Sequence, residues 1–249
     1  MCLIAFDWRP GTARPLVLAA NRDEFHARPT RALHWWRWPD GPLAGRDEVA
    51  GGTWLAAGRD GRFAALTNVR DPAAPGGQRS RGALPVAALA AGRLEDFVAE
   101  VFDQRGDYGP FNLLVGDRTA LYQVGTHTPP AAVEPGLHAL SNHALDTPWP
   151  KSIRAVQRLQ TALAEPEPGM TTLLGLLDDR APAPDDELPD TGVGADLERM
   201  LSAPFIVDER YGTRSSSALV LDDRVRMSER SFDADGECVG ERHYQWKRE

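Results

Sequence analysis

Residues 1–25 read MCLIAFDWRPGTARPLVLAANRDEF, and this stretch decides the fold that the rest of the chain completes. Two apolar runs, CLIAF at residues 2–6 and LVLAA at residues 16–20, are separated by RPGT at residues 9–12. Proline followed by glycine is typical of a tight turn, so the stretch predicts a β-hairpin. Its first strand begins almost at residue 2, and its second strand runs into the polar segment NRDE at residues 21–24. The hairpin therefore brings the N-terminus beside four polar residues at the edge of a core.

Strands and helices follow in blocks along the rest of the chain. The dipeptide Asp60-Gly61 predicts a second hairpin between residues 53–57 and 62–69. Apolar residues at helical spacing, with Thr172 as a cap, predict helices over residues 84–91, 94–102, 151–163 and 172–177. Further strands are predicted over residues 111–115, 120–124, 137–141, 217–221, 225–232 and 242–246. The acidic, proline-rich stretch 178–194 indicates an irregular excursion rather than a domain boundary, because strands return after it. This order favours an α+β fold with mostly antiparallel sheets and segregated helices, in a single domain over residues 1–249.

Composition and charge argue against several classes of protein. The chain has 249 residues, of which 42% are hydrophobic and 26% charged, as in an ordinary globular protein. Its net charge of -8 argues against a nucleic-acid partner, because duplex binding relies on a basic surface. No apolar run approaches the roughly 18 residues of a membrane-spanning helix. The six histidines show no zinc-ligand spacing, so we expect no metal site. The early break in the N-terminal apolar run predicts no secretory leader, so we expect a cytoplasmic protein with reduced cysteines.

Cys2 is the first candidate for chemistry. The initiator methionine is readily removed when the second side chain is small, and its removal leaves a cysteine with a thiol and a free α-amine. The amine has a pKa of about 7.7 to 8.0, so roughly a tenth of it is neutral at pH 7 and able to accept a proton. The thiol has a pKa of about 8.5 and needs only a small shift to become a thiolate. One residue then supplies both nucleophile and base, as in N-terminal nucleophiles; the alternative is a small apolar residue that starts a strand.

The polar segment at residues 21–24 lies beside Cys2 in the predicted hairpin. Asp23 can hold and orient an ammonium group, and Arg22 can lower the pKa of the thiol or bind an anionic group of a substrate. Asn21 and Glu24 are candidates for substrate contact in the same segment. The alternative is a solvated strand end, with Arg22 and Asp23 exposed.

Tryptophans form a second group of candidates. HWWRW at residues 34–38 is predicted to lie in a loop bounded by proline and glycine, which either forms one wall of an apolar pocket or covers the core. Trp54 follows Gly51-Gly52, a pair that predicts a turn or a close backbone approach at the start of a strand. Trp36 and Trp54 are our aromatic candidates for substrate binding.

Short motifs run in order along nearly the whole chain. They are MCLIAF at residues 1–6, NRDE at 21–24, GGTW at 51–54, ALTNVRDP at 65–72, SRG at 80–82, FNLLVGD at 111–117, LSNHALDTPWPK at 140–151, LPDTGV at 188–193 and GTRSSSALVL at 212–221. Together these motifs resemble the NRDE family, which contains the transport and Golgi organisation protein 2 group.

A cysteine at position 2 followed by the pair Arg22 and Asp23 resembles, more distantly, the N-terminal-nucleophile hydrolases of the penicillin acylase and bile-salt hydrolase type. The resemblance implies a four-layer αββα sandwich of two mostly antiparallel sheets between helices, with the nucleophile at the end of a central strand. It also implies cleavage of non-peptide amide bonds, with Cys2 as the nucleophile flanked by Arg22 and Asp23. Those hydrolases space the corresponding arginine and aspartate farther apart, so Glu24 and Asn21 are alternatives for the role of Asp23.

The same resemblance implies roles for residues farther along the chain. Asn68 and Asn142 are similar to the asparagines that bind the oxyanion and orient the substrate. Arg214, which precedes the serines at residues 215–217, is similar to the second arginine of the site. Side-chain amides are suitable donors for the negative charge that develops on an attacked carbonyl oxygen.

Three functions are compatible with this sequence. The first is a hydrolase without a cofactor, in which Cys2 attacks a small-molecule acyl substrate, an amide or a thioester, with its own amine as base. The second is a non-catalytic binding or trafficking protein on the same fold, with a hydrophobic ligand. The family resemblance implies haem or an acyl lipid as that ligand, and a cysteine thiolate can bind haem iron. The third is a catalytically silent scaffold that uses its tryptophans as a partner surface.

Overall fold

The computed structural model describes residues 2–37, 41–165 and 168–247, with Cys2 described by its backbone alone. Within these ranges the strands are β1 (Cys2–Trp8), β2 (Leu16–Phe25), β3 (Thr30–Trp35), β4 (Leu43–Asp47), β5 (Leu55–Ala57), β6 (Phe63–Asn68), β7 (Phe111–Gly116), β8 (Leu121–Gly125), β9 (Ala131–Ala132), β10 (Gly136–Leu140), β11 (Tyr211–Leu221), β12 (Val225–Phe232) and β13 (Cys238–Trp246). The helices are α1 (Ala83–Ala90), α2 (Leu94–Asp103), α3 (Pro150–Ala162), α4 (Met170–Leu174) and α5 (Ala195–Leu201).

The strands form two sheets in which neighbouring strands run antiparallel. The first sheet has the order β10-β1-β2-β11-β12-β13, and the second has the order β3-β4-β5-β6-β7-β8-β9. The two predicted hairpins are confirmed, because β1 pairs with β2 and β5 pairs with β6. On its other edge β2 pairs with β11, so the N-terminal hairpin lies inside the first sheet.

The largest core lies between the two sheets. Side chains alternate along a strand, and the even-numbered residues of β1 and β2, such as Phe6 and Leu18, point toward the second sheet. They pack with Leu43, Phe63 and Leu114 of that sheet, and all five side chains are fully buried. Burial of each such side chain stabilises the fold by about 1.5 to 3 kcal/mol.

Helices cover the outer face of each sheet. Odd-numbered residues of the hairpin, such as Leu3 and Val17, pack against Leu159 of α3 and against α4. On the other side of the molecule, α1 and α2 pack on the second sheet, where Val98 joins the same cluster as Leu113. The layers therefore follow the order helices, sheet, sheet, helices, which confirms the predicted αββα sandwich. None of the helices in the described ranges has the length and apolar character to span a membrane.

The predicted aromatic loop is wrong in its first part. His34 and Trp35 end strand β3, which pairs with β4 at the edge of the second sheet. A bulge between Arg31 and His34 interrupts the alternation that marks a strand in the sequence. Trp36 follows the strand directly, and Trp38 lies outside the described residues.

Strand β2 also extends beyond its apolar run. It continues through the polar segment to Phe25, because β11 pairs with it as far as Tyr211 opposite Phe25. Residues 21–24 are therefore strand residues rather than the start of a solvated loop. Three further elements were not predicted from the sequence, namely β4, the two-residue β9, and α5, which directly follows the irregular stretch 178–194.

Candidate active site

The polar end of the hairpin opens into a cleft of about 920 Å³. Cys2, the first residue of β1, pairs through its backbone with Arg22 of β2. The cleft lies between the end of this hairpin and the second sheet. Five of the predicted site residues line it, namely Arg22, Asp23, Glu24, Trp54 and Asn68.

Arg22 is held by contacts on several sides. Its side chain is buried, its Nη1 donates a hydrogen bond to Thr30 Oγ1 at 3.2 Å, and its guanidinium lies 4.3 Å from the centre of the Trp54 ring. Gly45 makes room for that ring, since a Cβ atom at this position would lie 2.4 Å from Trp54 atoms. Arg22 is therefore stacked on an aromatic face, an arrangement that holds a planar cation in one orientation.

Glu24 lies within a cluster of opposite charges at the rim of the cleft. Its Oε2 is 3.6 Å from Nη2 of Arg22 and 3.8 Å from Nε of Arg28. Arg28 in turn forms an ion pair with Asp47 at 2.7 Å. The carboxylate of Glu24 is thus shared between two arginines, which limits its availability for an ammonium group.

Asp23, in the same polar end of β2, is fully buried. Its Oδ1 accepts a hydrogen bond from Thr213 Oγ1 at 2.7 Å, and its backbone oxygen accepts one from the Tyr211 hydroxyl at 3.1 Å. Burial raises the pKa of the Asp23 carboxyl, while the charges of Lys151 and Arg22 and the hydrogen bond from Thr213 act in the opposite direction. A carboxyl in this environment responds strongly to any charge placed beside it.

The two predicted asparagines are in contact, but of the two only Asn68 lines the cleft. Nδ2 of Asn142 donates to the backbone oxygen of Asn68 at 2.8 Å, and Oδ1 of Asn142 accepts bonds from Ser141 Oγ at 3.1 Å and Lys151 Nζ at 3.2 Å. The backbone oxygen of Asn142 also accepts a bond from Arg70 N at 2.8 Å. Asn142 therefore ties the end of β6 to the segment after β10, and Asn68 faces the cleft.

Asn21 lies away from the cleft, in the layer between the first sheet and the helices. Its Nδ2 donates to the backbone oxygens of Leu177 at 3.1 Å and Pro204 at 2.9 Å, and its Oδ1 accepts a bond from Ser216 Oγ at 2.6 Å. The amide is thus committed to local structure.

Arg214 and Trp36 also lie outside the lining of this cleft. Nη1 of Arg214 donates to the backbone oxygens of Phe25 at 3.0 Å and His26 at 3.1 Å, so this arginine supports the turn after β2. It borders a second, smaller cavity of about 320 Å³. Nε1 of Trp36 donates to the backbone oxygen of Ala44 at 3.1 Å, so this ring packs on the second sheet.

Residues outside the predicted set complete the walls of the cleft. Arg79 and Arg81 come from the loop before α1, Leu197 and Met200 come from α5, and Tyr211 begins β11. The SRG motif at residues 80–82 was a signal for part of this wall. The predicted close backbone approach is observed at Gly52, where a Cβ atom would lie 2.3 Å from the carbonyl carbon of Gly82.

Two buried ionisable side chains near the site are not among the predicted site residues. Lys151 at the start of α3 is 2% exposed, although it belongs to the motif LSNHALDTPWPK. Glu229 of β12 is also 2% exposed, and its Oε1 accepts a bond from Leu33 N at 2.7 Å. Burial raises the pKa of the Glu229 carboxyl to about 7, against the opposing effects of that N–H and of the charges of Arg22 and Arg242.

The described residues provide no metal centre. Among them, no group of three or more His, Cys, Asp or Glu side chains is arranged to hold a metal ion. Within the same ranges, no histidine lines the cleft.

Fold and site together define an αββα protein whose N-terminal strand begins at a polar cleft. The chain belongs to the Transport and Golgi organisation 2 family, whose model matches residues 1–234, and this confirms the family that the motifs indicated. The human Transport and Golgi organization protein 2 homolog is 32% identical over 263 residues, and the match covers 93% of each chain. The Bos taurus homolog is 33% identical over 259 residues with the same coverage.

Two solved structures are similar at low sequence identity. The Caenorhabditis elegans N-acylethanolamine-hydrolyzing acid amidase ortholog has a TM-score of 0.45 and 9% identity, over 88% of this chain and 92% of that chain. A mutant of Anbu from Hyphomicrobium sp. strain MC1 has a TM-score of 0.37 and 11% identity, over 100% of this chain and 88% of that chain.

Proposed function

We propose that this protein is a cysteine N-terminal-nucleophile hydrolase that acts on a small non-peptide amide or thioester. The observation that carries the proposal is the start of β1 at Cys2, in register with Arg22 at the cleft of about 920 Å³. Removal of Met1 would place a free amine and a thiol together at this point. A cleft of this size accommodates a small organic substrate.

The proposed reaction has two halves. In the first, the neutral α-amine of Cys2 accepts the thiol proton, and the sulfur attacks the carbonyl carbon of the substrate to form a new C–S bond. The C–N bond of the amide, or the C–S bond of a thioester, then breaks, and the α-ammonium returns the proton to the leaving group. In the second half, the amine deprotonates a water molecule that attacks the acyl-enzyme, which releases the acid and restores the thiol.

Asn68 is our candidate for the oxyanion donor. Asn68 lines the cleft, and its backbone oxygen is fixed by the hydrogen bond from Asn142. A preorganised donor of this kind contributes about 3 to 4 kcal/mol to transition-state stabilisation. Asn142 then acts through Asn68, as a residue that positions the donor.

Arg22 is our candidate for binding an anionic group of the substrate. Its guanidinium is oriented by Thr30 and by the Trp54 ring, and it lies on the strand directly beside Cys2. A fixed guanidinium suits a carboxylate or a phosphate, which it can bind with two hydrogen bonds. Arg214, the other predicted arginine, is engaged with backbone oxygens and is a weaker candidate.

The proposal also covers the domain and the compartment. The cleft has lining residues from both sheets and from α5, so we propose one functional domain over residues 1–249. We propose a cytoplasmic location, where reducing conditions keep Cys2 and the exposed Cys238 as thiols.

Intact-mass analysis together with turnover assays tests the proposal. We expect the purified protein to lack Met1 and to form an acyl adduct on the N-terminal peptide when it is mixed with a panel of short-chain acyl thioesters and N-acyl amides. Cys2→Ala should abolish turnover, whereas Cys238→Ser, the matched control at the other cysteine, should retain it. Turnover that survives Cys2→Ala would refute the proposal.

The same variants separate the hydrolase from a carrier. A wild-type protein without turnover whose ligand affinity survives Cys2→Ala would favour a non-catalytic binding protein. A haem absorption band that moves on Cys2→Ala would favour a haem carrier, because it would identify the thiolate as the iron ligand.

A further inference from the structure

Lys151 is a buried cation for which the reaction above has no role. It is 2% exposed and occupies the second position of α3, directly after Pro150. This position is unfavourable for an ammonium group in two ways. Burial removes the hydration of the group, and the N-terminus of the helix carries partial positive charge. Its place in the fold therefore depends on compensating partners.

The partners of Lys151 lie at the candidate site. Its Nζ donates to Asn142 Oδ1 at 3.2 Å and lies 5.9 Å from the centre of the Trp149 ring. It also attracts the carboxylate of Asp23, which is itself 2% exposed. The structure thus brings an ammonium and a carboxylate, each fully buried, into the same region although they are far apart in the sequence.

Asp23 also lies next to the place where the α-amine of a processed chain begins. Cys2 and Arg22 are opposite one another in an antiparallel pair, so one further step outward reaches Asp23 on β2 and the amine of Cys2 on β1. A buried carboxylate beside an amine stabilises the ammonium form, which has no lone pair to accept the thiol proton. The single negative charge of Asp23 can balance only one positive charge. If Lys151 supplies that positive charge, Asp23 no longer stabilises the ammonium form of the α-amine.

We propose that Lys151 is a positioning residue that balances the charge of Asp23 and so leaves the α-amine of Cys2 uncharged and able to act as the base. This inference rests on the proposed function, because it requires the free amine. Among the described residues, Arg22 and Tyr211 are further charged or titratable groups near Asp23. Arg22 turns to the cleft side, over Trp54, and the Tyr211 hydroxyl donates to the backbone oxygen of Asp23.

Titration of the amine measures this role directly. The chain has two cysteines, so protein labelled with [13C]cysteine gives two signals, and Cys238→Ser assigns them. We would follow the Cys2 signal from pH 5 to 10 in the wild type, in Lys151→Met and in Lys151→Arg. The matched control is Lys247→Met, since the chain has two lysines and Lys247 is exposed.

Loss of the buried cation should make the amine harder to deprotonate. For Lys151→Met we expect the midpoint to rise by about one pH unit or more, which leaves about tenfold less neutral amine at pH 7. The rate of acyl-enzyme formation at pH 7 should fall by a similar factor and recover at higher pH. Lys151→Arg, which keeps the charge, and Lys247→Met should both retain the wild-type midpoint.

An unshifted midpoint in folded Lys151→Met would overturn the inference, because a merely structural lysine changes stability and leaves the amine titration unchanged. If Lys151→Met does not fold, the titration midpoint of the α-amine in Asp23→Asn provides the test instead. This change leaves the cation of Lys151 unbalanced, so the midpoint should fall, and an unchanged midpoint would again overturn the inference. Intact mass distinguishes the two levels of failure. Retained Met1 overturns both proposals, whereas a processed, reactive Cys2 with unshifted midpoints overturns the role of Lys151 alone.

Discussion

Replacement of Arg70 by methionine removes one side of a buried ion pair that supports the cleft. Arg70 follows β6, and Nη1 of this residue contacts Oε2 of Glu198 on α5; both side chains are 4% exposed. The other carboxylate oxygen of Glu198 accepts hydrogen bonds from Thr191 N at 2.8 Å and Thr191 Oγ1 at 2.6 Å. The pair therefore attaches α5, with its cleft-lining residues, to the second sheet.

The expected loss of stability follows from the burial of both partners. Methionine retains much of the apolar length of Arg70, so the main effect is a buried Glu198 carboxylate without its cation. Removal of one partner from a buried pair costs about 3 to 5 kcal/mol. For a chain of this size, 1 kcal/mol corresponds to roughly 2–4 °C, so Tm should fall by about 6 to 20 °C.

Thermal and urea unfolding, followed by circular dichroism, measure this loss. The double variant Arg70→Met/Glu198→Leu should recover most of it, because it leaves no buried charge behind. Arg199→Met is the matched control, since Arg199 neighbours Glu198 but forms its ion pairs at the surface, where solvent screening leaves ion pairs with little effect on stability. The reasoning is refuted if Arg70→Met unfolds within about 1 kcal/mol of the wild type, or if the double variant is no more stable than the single one.

Three further predictions concern the core and its buried groups. The Glu229 carboxyl has a pKa of about 7 in the folded chain against an ordinary value of 4.5, so its contribution to stability is present below pH 4.5 and is lost as the pH rises through about 7. The free energy of unfolding should fall by about 3 kcal/mol over this range. In urea titrations, Glu229→Gln should remove this dependence on pH, whereas the control Glu237→Gln, at an exposed position, should keep it. Gly45→Ala places a Cβ atom 2.4 Å from Trp54, so we expect a shifted indole emission and a loss of about 1 to 3 kcal/mol; an unchanged spectrum would contradict the packing described. Leu159→Ala empties a fully buried position under the first sheet and should cost about 2 to 5 kcal/mol by urea unfolding, whereas a loss below 1 kcal/mol would argue against the αββα layering.

Parts of the fold that depend on local signals were predictable from the sequence. The hairpin of β1 and β2 has two apolar runs around a turn, and the helix predicted over residues 151–163 is observed as Pro150–Ala162, with proline at its first turn. Strand β3 was missed because its bulge breaks the alternation after Arg31. Helix α5 has seven residues and follows a proline-rich stretch, so its apolar spacing gave too short a pattern to detect.

Some residues of the candidate site were likewise predictable from the sequence, and others were not. Arg22, Asp23 and Asn68 could be found because they belong to short motifs near strand ends. The positions of Lys151 and Glu229 depend on burial between layers that only the complete fold brings together. No local pattern distinguishes such a residue from a surface lysine or glutamate. The partners of Arg214 are backbone oxygens after β2, and these contacts also have no signature in the sequence.

The adjacency of Arg22 and Asp23 has a physical consequence for the proposed chemistry. Neighbouring residues in a strand point to opposite faces of the sheet, so Arg22 and Asp23 present their charges to different layers. The pair supplies a cation on the face over Trp54 and an anion that interacts with Lys151 of the helix layer. Asn21 shares the face of Asp23, but its amide is bound to two backbone oxygens. Glu24 shares the face of Arg22 and is engaged by two arginines. Asp23 lies one step beyond the Cys2–Arg22 pair, so of the three candidates we propose Asp23 as the carboxylate that faces the α-amine.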